Sequence, residues 1–201
     1  RRHRLWLVSD ECYDELLFDG SVRSAQAAAP YEPTVTVFTF SKTYAMTGWR
    51  VGYAFAPADL LAAMARMQEP MVSCVNAPAQ HAALAALTGP QEVVATMREA
   101  YRRRATAAVA VLRNGGLTVP DPQGAFYLWV DTSGDGRDSV TLAHELLRDR
   151  SVAVAPGLAF GASGQHRLRI SLASADDALL EGCRRLADYL RPLAEEYQRG
   201  N

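Results

Sequence analysis

The residue that most invites a chemical reading is Lys42. The chain has 201 residues with 21 Lys and Arg together, and Lys42 is the only lysine among them. An Ala- and Arg-rich sequence that replaces surface Lys with Arg accounts for the ratio. A lysine kept against that trend can still do what arginine cannot, which is to lose its proton and attack a carbonyl carbon. Its neighbours suit such a role. Thr39-Phe40-Ser41-Lys42 closes a β-branched and aromatic segment, and Arg50 follows eight residues on. An amine in this setting can form an imine with an aldehyde, while the hydroxyls and the guanidinium can hold a phosphate. The ordinary alternative is an exposed lysine in a Ser/Thr loop.

Two further positions carry chemical potential. Asp10 follows the apolar run Leu5-Trp6-Leu7-Val8, and Tyr13 comes three residues later. A carboxylate at the C-terminal end of a buried strand lies where open α/β sheets bind ligands. Taken alone, Asp10 reads as the N-cap of a short helix expected to run to about residue 18. Far downstream, Arg167 and Arg169 stand two apart on an expected strand and so share a face. Arg167 is expected to be a surface or supporting arginine.

These residues need strands and helices to position them. Residues 5–8 form a continuous apolar run, as in a strand buried on both faces. Residues 34–40 and 51–55 read as further strands, and 19–33, with Gly20, Pro30 and Pro33, as a loop. Helices are expected over about 57–68, 77–87 and 90–113, the last closed by Asn114-Gly115-Gly116. Beyond that glycine pair, 117–119, 126–130, 152–154 and 168–172 read as short strands, and 139–149 and 174–199 as helices. That second pattern suggests an α+β unit. A domain change is expected near or within the long helix, giving domains 1–104 and 105–201.

Five ordered segments carry a family resemblance. The run from Ser41-Lys42-Thr43-Tyr44-Ala45-Met46 through Thr47-Gly48-Trp49-Arg50-Val51-Gly52-Tyr53 resembles the Schiff-base lysine motif of class I/II aminotransferases, the fold type I enzymes that use pyridoxal 5'-phosphate (PLP). Ser9-Asp10-Glu11-Cys12-Tyr13 resembles an upstream segment of the same family. Gly124-Ala125-Phe126-Tyr127, Pro156-Gly157-Leu158-Ala159-Phe160-Gly161 and Leu168-Arg169-Ile170-Ser171 resemble three later ones. The match runs in order along nearly the whole chain.

The resemblance implies an α/β fold: part of a large PLP-binding domain with a mostly parallel sheet, then a small α+β domain. It implies transamination between an α-amino acid and a 2-oxo acid. Lys42 matches the lysine that binds the cofactor and moves the proton between substrate Cα and the cofactor. Asp10 matches the carboxylate paired with the ring nitrogen, and Tyr13 the hydroxyl at ring O3'. Arg50 matches a phosphate-binding arginine, with Ser41 and Thr39 as companion donors; Thr39 stands where the family usually has Ser or Gly. Arg169 matches the arginine that clamps the substrate α-carboxylate. Family members are about twice this length, so the chain is expected to be the C-terminal half of a homodimeric enzyme. Its opening Arg-rich residues, without an initiator Met, agree with that expectation. Alternatives are a fold type I lyase or the aminotransferase-like domain of a PLP-binding regulator.

Composition narrows the remaining classes. Net charge is −1 with 49% hydrophobic residues, which suits compact soluble folding and gives no general field for nucleic acid or membrane. No apolar stretch approaches the roughly 20 residues of a membrane span, and no signal peptide is expected. Cys12, Cys74 and Cys183 are far apart, so a cytoplasmic location is expected. Asp131-x-Ser133-x-Asp135-Gly136 resembles the start of a calcium loop, but position twelve would be Leu142 rather than Glu. The four His residues share no metal-ligand spacing, so no metal is expected. Met64, Met67 and Met71 fall at helical spacing and are expected in the core.

Overall fold

A computed structural model describes residues 2–18, 24–28 and 33–199. The chain divides into two compact units, Arg1–Arg98 and Glu99–Asn201.

In the first unit, β1 (Leu7–Asp10), β2 (Thr34–Thr39) and β3 (Gly52–Phe55) form a sheet in that order. β1 runs parallel to β2, with Asp10 beside Val37. β3 returns antiparallel, with Gly52 opposite Thr39. A Cβ at Gly52 would lie 2.5 Å from the Phe38 carbonyl oxygen, so this crossing requires glycine. Most of the expected loop at 19–33 lies outside the described residues, Gly20 and Pro30 included; a single helical turn, α1 (Ala25–Ala28), lies within it.

β2 passes directly into α2 (Phe40–Thr43), the one-turn helix that carries Lys42. Phe40 anchors this turn in a buried cluster with Val51, Ala79 and Ala83. Then come α3 (Ala58–Val72), α4 (Ala77–Thr88) and the long α5 (Glu92–Asn114), within which the division between the units falls. α4 starts where Asn76 accepts a hydrogen bond from the Ala79 amide, with proline in its first turn. α3 runs four residues past its expected end, through Pro70, and stops at Ser73 in a positive-φ conformation (φ 64°).

Two expectations about burial are corrected. Among the described residues the run 5–8 is not buried on both faces: β1 lies at the edge of the sheet, and Leu5, Trp6 and Val8 are each more than half exposed. Nor do Met64, Met67 and Met71 enter a core, since α3 has no buried residue. Periodicity finds a helix's apolar stripe, but not whether another layer covers it.

The second unit is an antiparallel sheet in the order β4 (Tyr127–Asp131), β6 (Arg167–Ser171), β5 (Ala155–Pro156). Side chains alternate. Leu128, Val130, Leu168 and Ile170 are buried, whereas Tyr127, Trp129, Arg167 and Arg169 occupy the other face. Leu142 and Leu146 of α6 (Ser139–Arg150) and Leu186 of α7 (Asp176–Arg199) are also fully buried. Asp138 caps α6 through the amides of Val140 and Thr141. The expected strand at 152–154 is irregular backbone, and ladder pairing begins only at Ala155. The one expected at 117–119 contributes a single bridge, Thr118 to Asp131.

Arg137 ties this unit together. Its guanidinium pairs with Asp135 (Nη2 to Oδ2, 2.6 Å) and Glu145, donates to the Tyr189 hydroxyl at 3.2 Å and lies 5.1 Å from that ring's centroid. The Asp135 side chain is only 3% exposed. Truncating Arg137 leaves that carboxylate buried without its cation. Arg137→Met is therefore expected to destabilise the unit by about 2–4 kcal/mol, read as a lower urea midpoint. Arg148→Met, which removes an exposed pairing with neighbouring Asp149, should leave the midpoint nearly unchanged.

Candidate active site

The parallel pairing of β1 and β2 brings two polar segments to the same end of the sheet. Asp10 is the last residue of β1, and Lys42 follows the last residue of β2 by three positions. Both therefore sit at the carboxyl ends of adjacent parallel strands.

Asp10 does not cap a helix. Residues 12–15 form a turn, and the Asp10 carboxylate accepts a hydrogen bond from the Cys12 amide at 3.1 Å. Buried Glu11 fixes the start of this turn, since one of its oxygens accepts from Ser9 Oγ at 2.8 Å and from the Ala25 amide at 3.0 Å. Tyr13 lies half-buried within the turn. Thr43, immediately after Lys42, donates to Asp14 Oδ1 at 3.4 Å, which links the turn to α2. Burial holds the Asp14 carboxyl above the usual carboxylate range.

Cys12 lies in the electrostatic field of both Asp10 and Lys42. Burial first, and then the Asp10 carboxylate, push its thiol up to about 11, while the Lys42 ammonium pulls in the opposite direction. Cys12 thus stays a neutral thiol at physiological pH and does not compete with the lysine amine as a nucleophile.

Hydroxyls and a guanidinium converge beside Lys42. Thr39 Oγ1 donates to Ser41 Oγ at 2.9 Å and accepts from the Ser41 amide at 3.1 Å, capping α2. Arg50 Nη1 donates to the Thr47 carbonyl at 2.8 Å and to Ser41 Oγ at 3.4 Å. Arg50 adopts the left-handed conformation (φ 52°, ψ 51°) that returns the chain into β3. This conformation costs a non-glycine residue about 1–2 kcal/mol, and it places Arg50 beside the Thr39–Ser41 hydroxyls. The cluster offers one exposed cation and two hydroxyls, a donor set matched to a phosphate.

The structure thus gathers Asp10, Tyr13, Thr39, Ser41, Lys42 and Arg50 within the first unit. Arg169 belongs to the second. It stands on central strand β6, opposite Trp129 of β4 and Ala155 of β5. Its guanidinium carbon lies 4.2 Å from the centroid of the Tyr127 ring and 4.4 Å from that of Phe160. Neighbouring Arg167 is paired with Asp131 at 3.1 Å. The two aspartates of the calcium-like motif are therefore engaged by arginines, Asp131 by Arg167 and Asp135 by Arg137.

Cys12, Asp14, Tyr127 and Phe160, which neighbour the expected site residues, were not singled out from the sequence. Tyr127 and Trp129 had a readable signal, since alternation along β4 puts both on the face opposite Leu128 and Val130. The Asp14–Thr43 contact spans 29 positions and leaves no local mark.

Comparison with known proteins adds identity to this geometry. The family described as Aminotransferase class I and II matches residues 1–186. An aspartate/prephenate aminotransferase of Cereibacter sphaeroides is 40% identical, over 96% of this chain and 52% of its own length. An arginine–pyruvate transaminase of Pseudomonas aeruginosa is 38% identical, over 92% of this chain and 48% of its own. Among solved structures, the aromatic aminotransferase of Pyrococcus horikoshii superposes with a TM-score of 0.89 at 35% identity, covering 95% of this chain and 52% of that one. The chain spans about half the length of the curated relatives it matches.

Proposed function

Because this chain belongs to the class I and II aminotransferase family, whose members depend on PLP, we propose that it supplies the lysine-bearing part of an enzyme that transfers an amino group from an α-amino acid to a 2-oxo acid. The observation that carries this reading is the setting of Lys42. The chain's only lysine lies beside a hydroxyl–guanidinium cluster, at the same sheet end as Asp10.

The residues present fit the cofactor. Arg50, Ser41 and Thr39 hold its phosphate, Asp10 pairs with the ring nitrogen, and Tyr13 directs its hydroxyl to ring O3'. Lys42 anchors it covalently. Once bound, PLP supplies an electron sink for the charge left on the substrate's Cα. The Lys42 amine would take the Cα proton and hand it to the cofactor's aldehyde-derived carbon, on the other side of the transferred nitrogen, a task that needs a base able to exist in neutral form. The negative charge of Asp10 keeps the ring nitrogen protonated. Arg169 holds the substrate α-carboxylate by its planar fork and so orients the Cα–H bond. In this reading the first unit is part of the PLP-binding domain and the second is the small domain. The protein acts as a homodimer in a reducing, cytoplasmic setting, in keeping with its three free cysteines. Among the described residues no helix is long and apolar enough to cross a membrane.

Relatives named for aspartate and for arginine match this chain at nearly equal identity.

Transamination is tested by giving the full-length protein PLP and single amino acids. Without a 2-oxo acid acceptor, product should stop at one equivalent per site, and adding an acceptor should restore turnover. Continuous release of ammonia without an acceptor would instead identify a lyase.

Arg169→Lys keeps the charge but loses the paired hydrogen bonds. It should weaken every amino-acid and every 2-oxo-acid substrate together, by about 10-fold or more, since charge-assisted hydrogen bonds contribute roughly 1.5–3 kcal/mol each. PLP affinity should hold. Two titrations, one with PLP and one with several amino acids, check this. Collapse of PLP affinity with intact amino-acid affinity would assign Arg169 the wrong role.

A further inference from the structure

Arg169 is held in an unusual way for a strand cation. Arg167, on the same face of β6, is neutralised by cross-strand Asp131. Among the described residues Arg169 has no carboxylate partner, and two aromatic rings lie within 4.4 Å of its guanidinium carbon instead. The rings come from opposite sides of its strand. Tyr127 is on β4, diagonal to Arg169 across the ladder. Phe160 lies on the helical turn Gly157–Phe160, which follows directly from β5. β4 and β5 are the two strands that flank β6.

The Phe160 ring is itself positioned. Trp129, the cross-strand neighbour of Arg169, meets it edge-on with centroids 5.8 Å apart. The turn beneath it is pinned at its first residue. A Cβ on Gly157 would run into the carbonyls of Gly164 and Arg167, so the turn lies against the start of β6 as only glycine allows. The Leu158 amide donates to Ser139 Oγ at 3.1 Å, which ties the turn to α6. Phe160 is nonetheless 52% exposed.

Aromatic rings attract a guanidinium through its planar faces, whereas a carboxylate binds along its N–H edge. Rings and carboxylate therefore do not compete. With the faces taken up by rings, the guanidinium loses rotational freedom about its own chain, and its edge keeps one orientation. The apolar rings also displace water from around the cation, which strengthens its pairing with an incoming anion.

We propose that Tyr127 and Phe160 are positioning residues that clamp the Arg169 guanidinium between β4 and the Gly157–Phe160 turn, and so fix the edge that receives the substrate α-carboxylate. This proposal rests on the reading of Arg169 as the carboxylate arginine, and it extends that reading to two residues that do not themselves bear charge. The clamp acts on carboxylate capture. It serves amino acids and 2-oxo acids alike, whatever the side chain.

The test uses the full-length holoenzyme with Phe160→Leu, Phe160→Tyr, Tyr127→Leu and Tyr127→Phe. Each leucine variant should raise KM for both the amino acid and the 2-oxo acid by about three- to tenfold, with a smaller change in kcat. The aromatic variants, which keep a ring, should restore KM to within about twofold of the parent value. Thermal midpoint and bound PLP, read from cofactor absorbance, should not move. Arg169→Lys supplies the reference background. In it, Phe160→Leu should add little further loss, because the clamp works only through the guanidinium. If Arg169→Lys raises KM but the leucine variants do not, the clamp is wrong and the reading of Arg169 stands. If Arg169→Lys leaves KM unchanged, the reading of Arg169 fails and the clamp fails with it. If Phe160→Leu raises KM by the same factor in both backgrounds, Phe160 acts without Arg169, and the positioning role is overturned.

Discussion

Replacing Lys42 by Arg should lower turnover by about 10⁴-fold or more, because one side chain would lose two roles at once. Arginine keeps the length and the positive charge. It does not release its proton at any relevant pH, so it neither forms the covalent link to the cofactor nor takes a proton from substrate Cα. The fold should survive the change. α2 is anchored by its buried neighbours Phe40, Ser41 and Thr43, while Lys42 itself is only partly buried. PLP should still bind weakly through its phosphate, since Arg50, Ser41 and Thr39 are untouched. The check is kcat for both half-reactions, together with the absorbance of bound cofactor. A Lys42→Arg protein with near-normal turnover would return Lys42 to the status of an ordinary surface lysine.

The second large effect is expected at Asp10. Asp10→Asn removes the charge but leaves the shape. The asparagine side-chain oxygen still accepts from the Cys12 amide, which Asp10 now engages at 3.1 Å, and asparagine forms this kind of turn as readily as aspartate. The local backbone is therefore preserved while the partner of the ring nitrogen loses its charge. PLP should still be held, but turnover should fall by on the order of 10²-fold or more, since several kcal/mol of stabilisation at the carbanion stage would be lost. Near-normal turnover in this variant would mean that Asp10 merely shapes the turn. Because the substitution spares the turn hydrogen bond, the two roles separate cleanly.

The cluster around Lys42 was legible because it is local. Thr39, Ser41, Lys42 and Arg50 fall within twelve consecutive residues, and the strand–turn–strand that brings them together is short enough to be read from residue types. The placement of Asp10 and Lys42 at the ends of adjacent strands was legible, although Asp10 taken alone read as a helix cap, where the structure has a turn. What settles that point is Glu11, whose buried carboxylate collects Ser9 and the Ala25 amide; the second contact crosses 14 positions. Burial was the harder property. An apolar run such as Leu5-Trp6-Leu7-Val8 shows that a strand has two apolar faces, but their exposure depends on what packs against them. The Arg137 network escaped notice for a similar reason. Its partners Asp135, Glu145 and Tyr189 come from a short 3-10 turn and two longer helices spread over 54 positions, and only the folded unit brings them to one guanidinium.

The central claim is that Lys42 carries the cofactor. The direct measurement is borohydride reduction of the full-length protein loaded with PLP, followed by proteolysis and mass mapping of the pyridoxyl-modified peptide. The account predicts one modified lysine per chain, in the peptide that contains Ser41, Lys42 and Thr43. An adduct on a different lysine of the full-length protein, with Lys42 recovered unmodified, contradicts it.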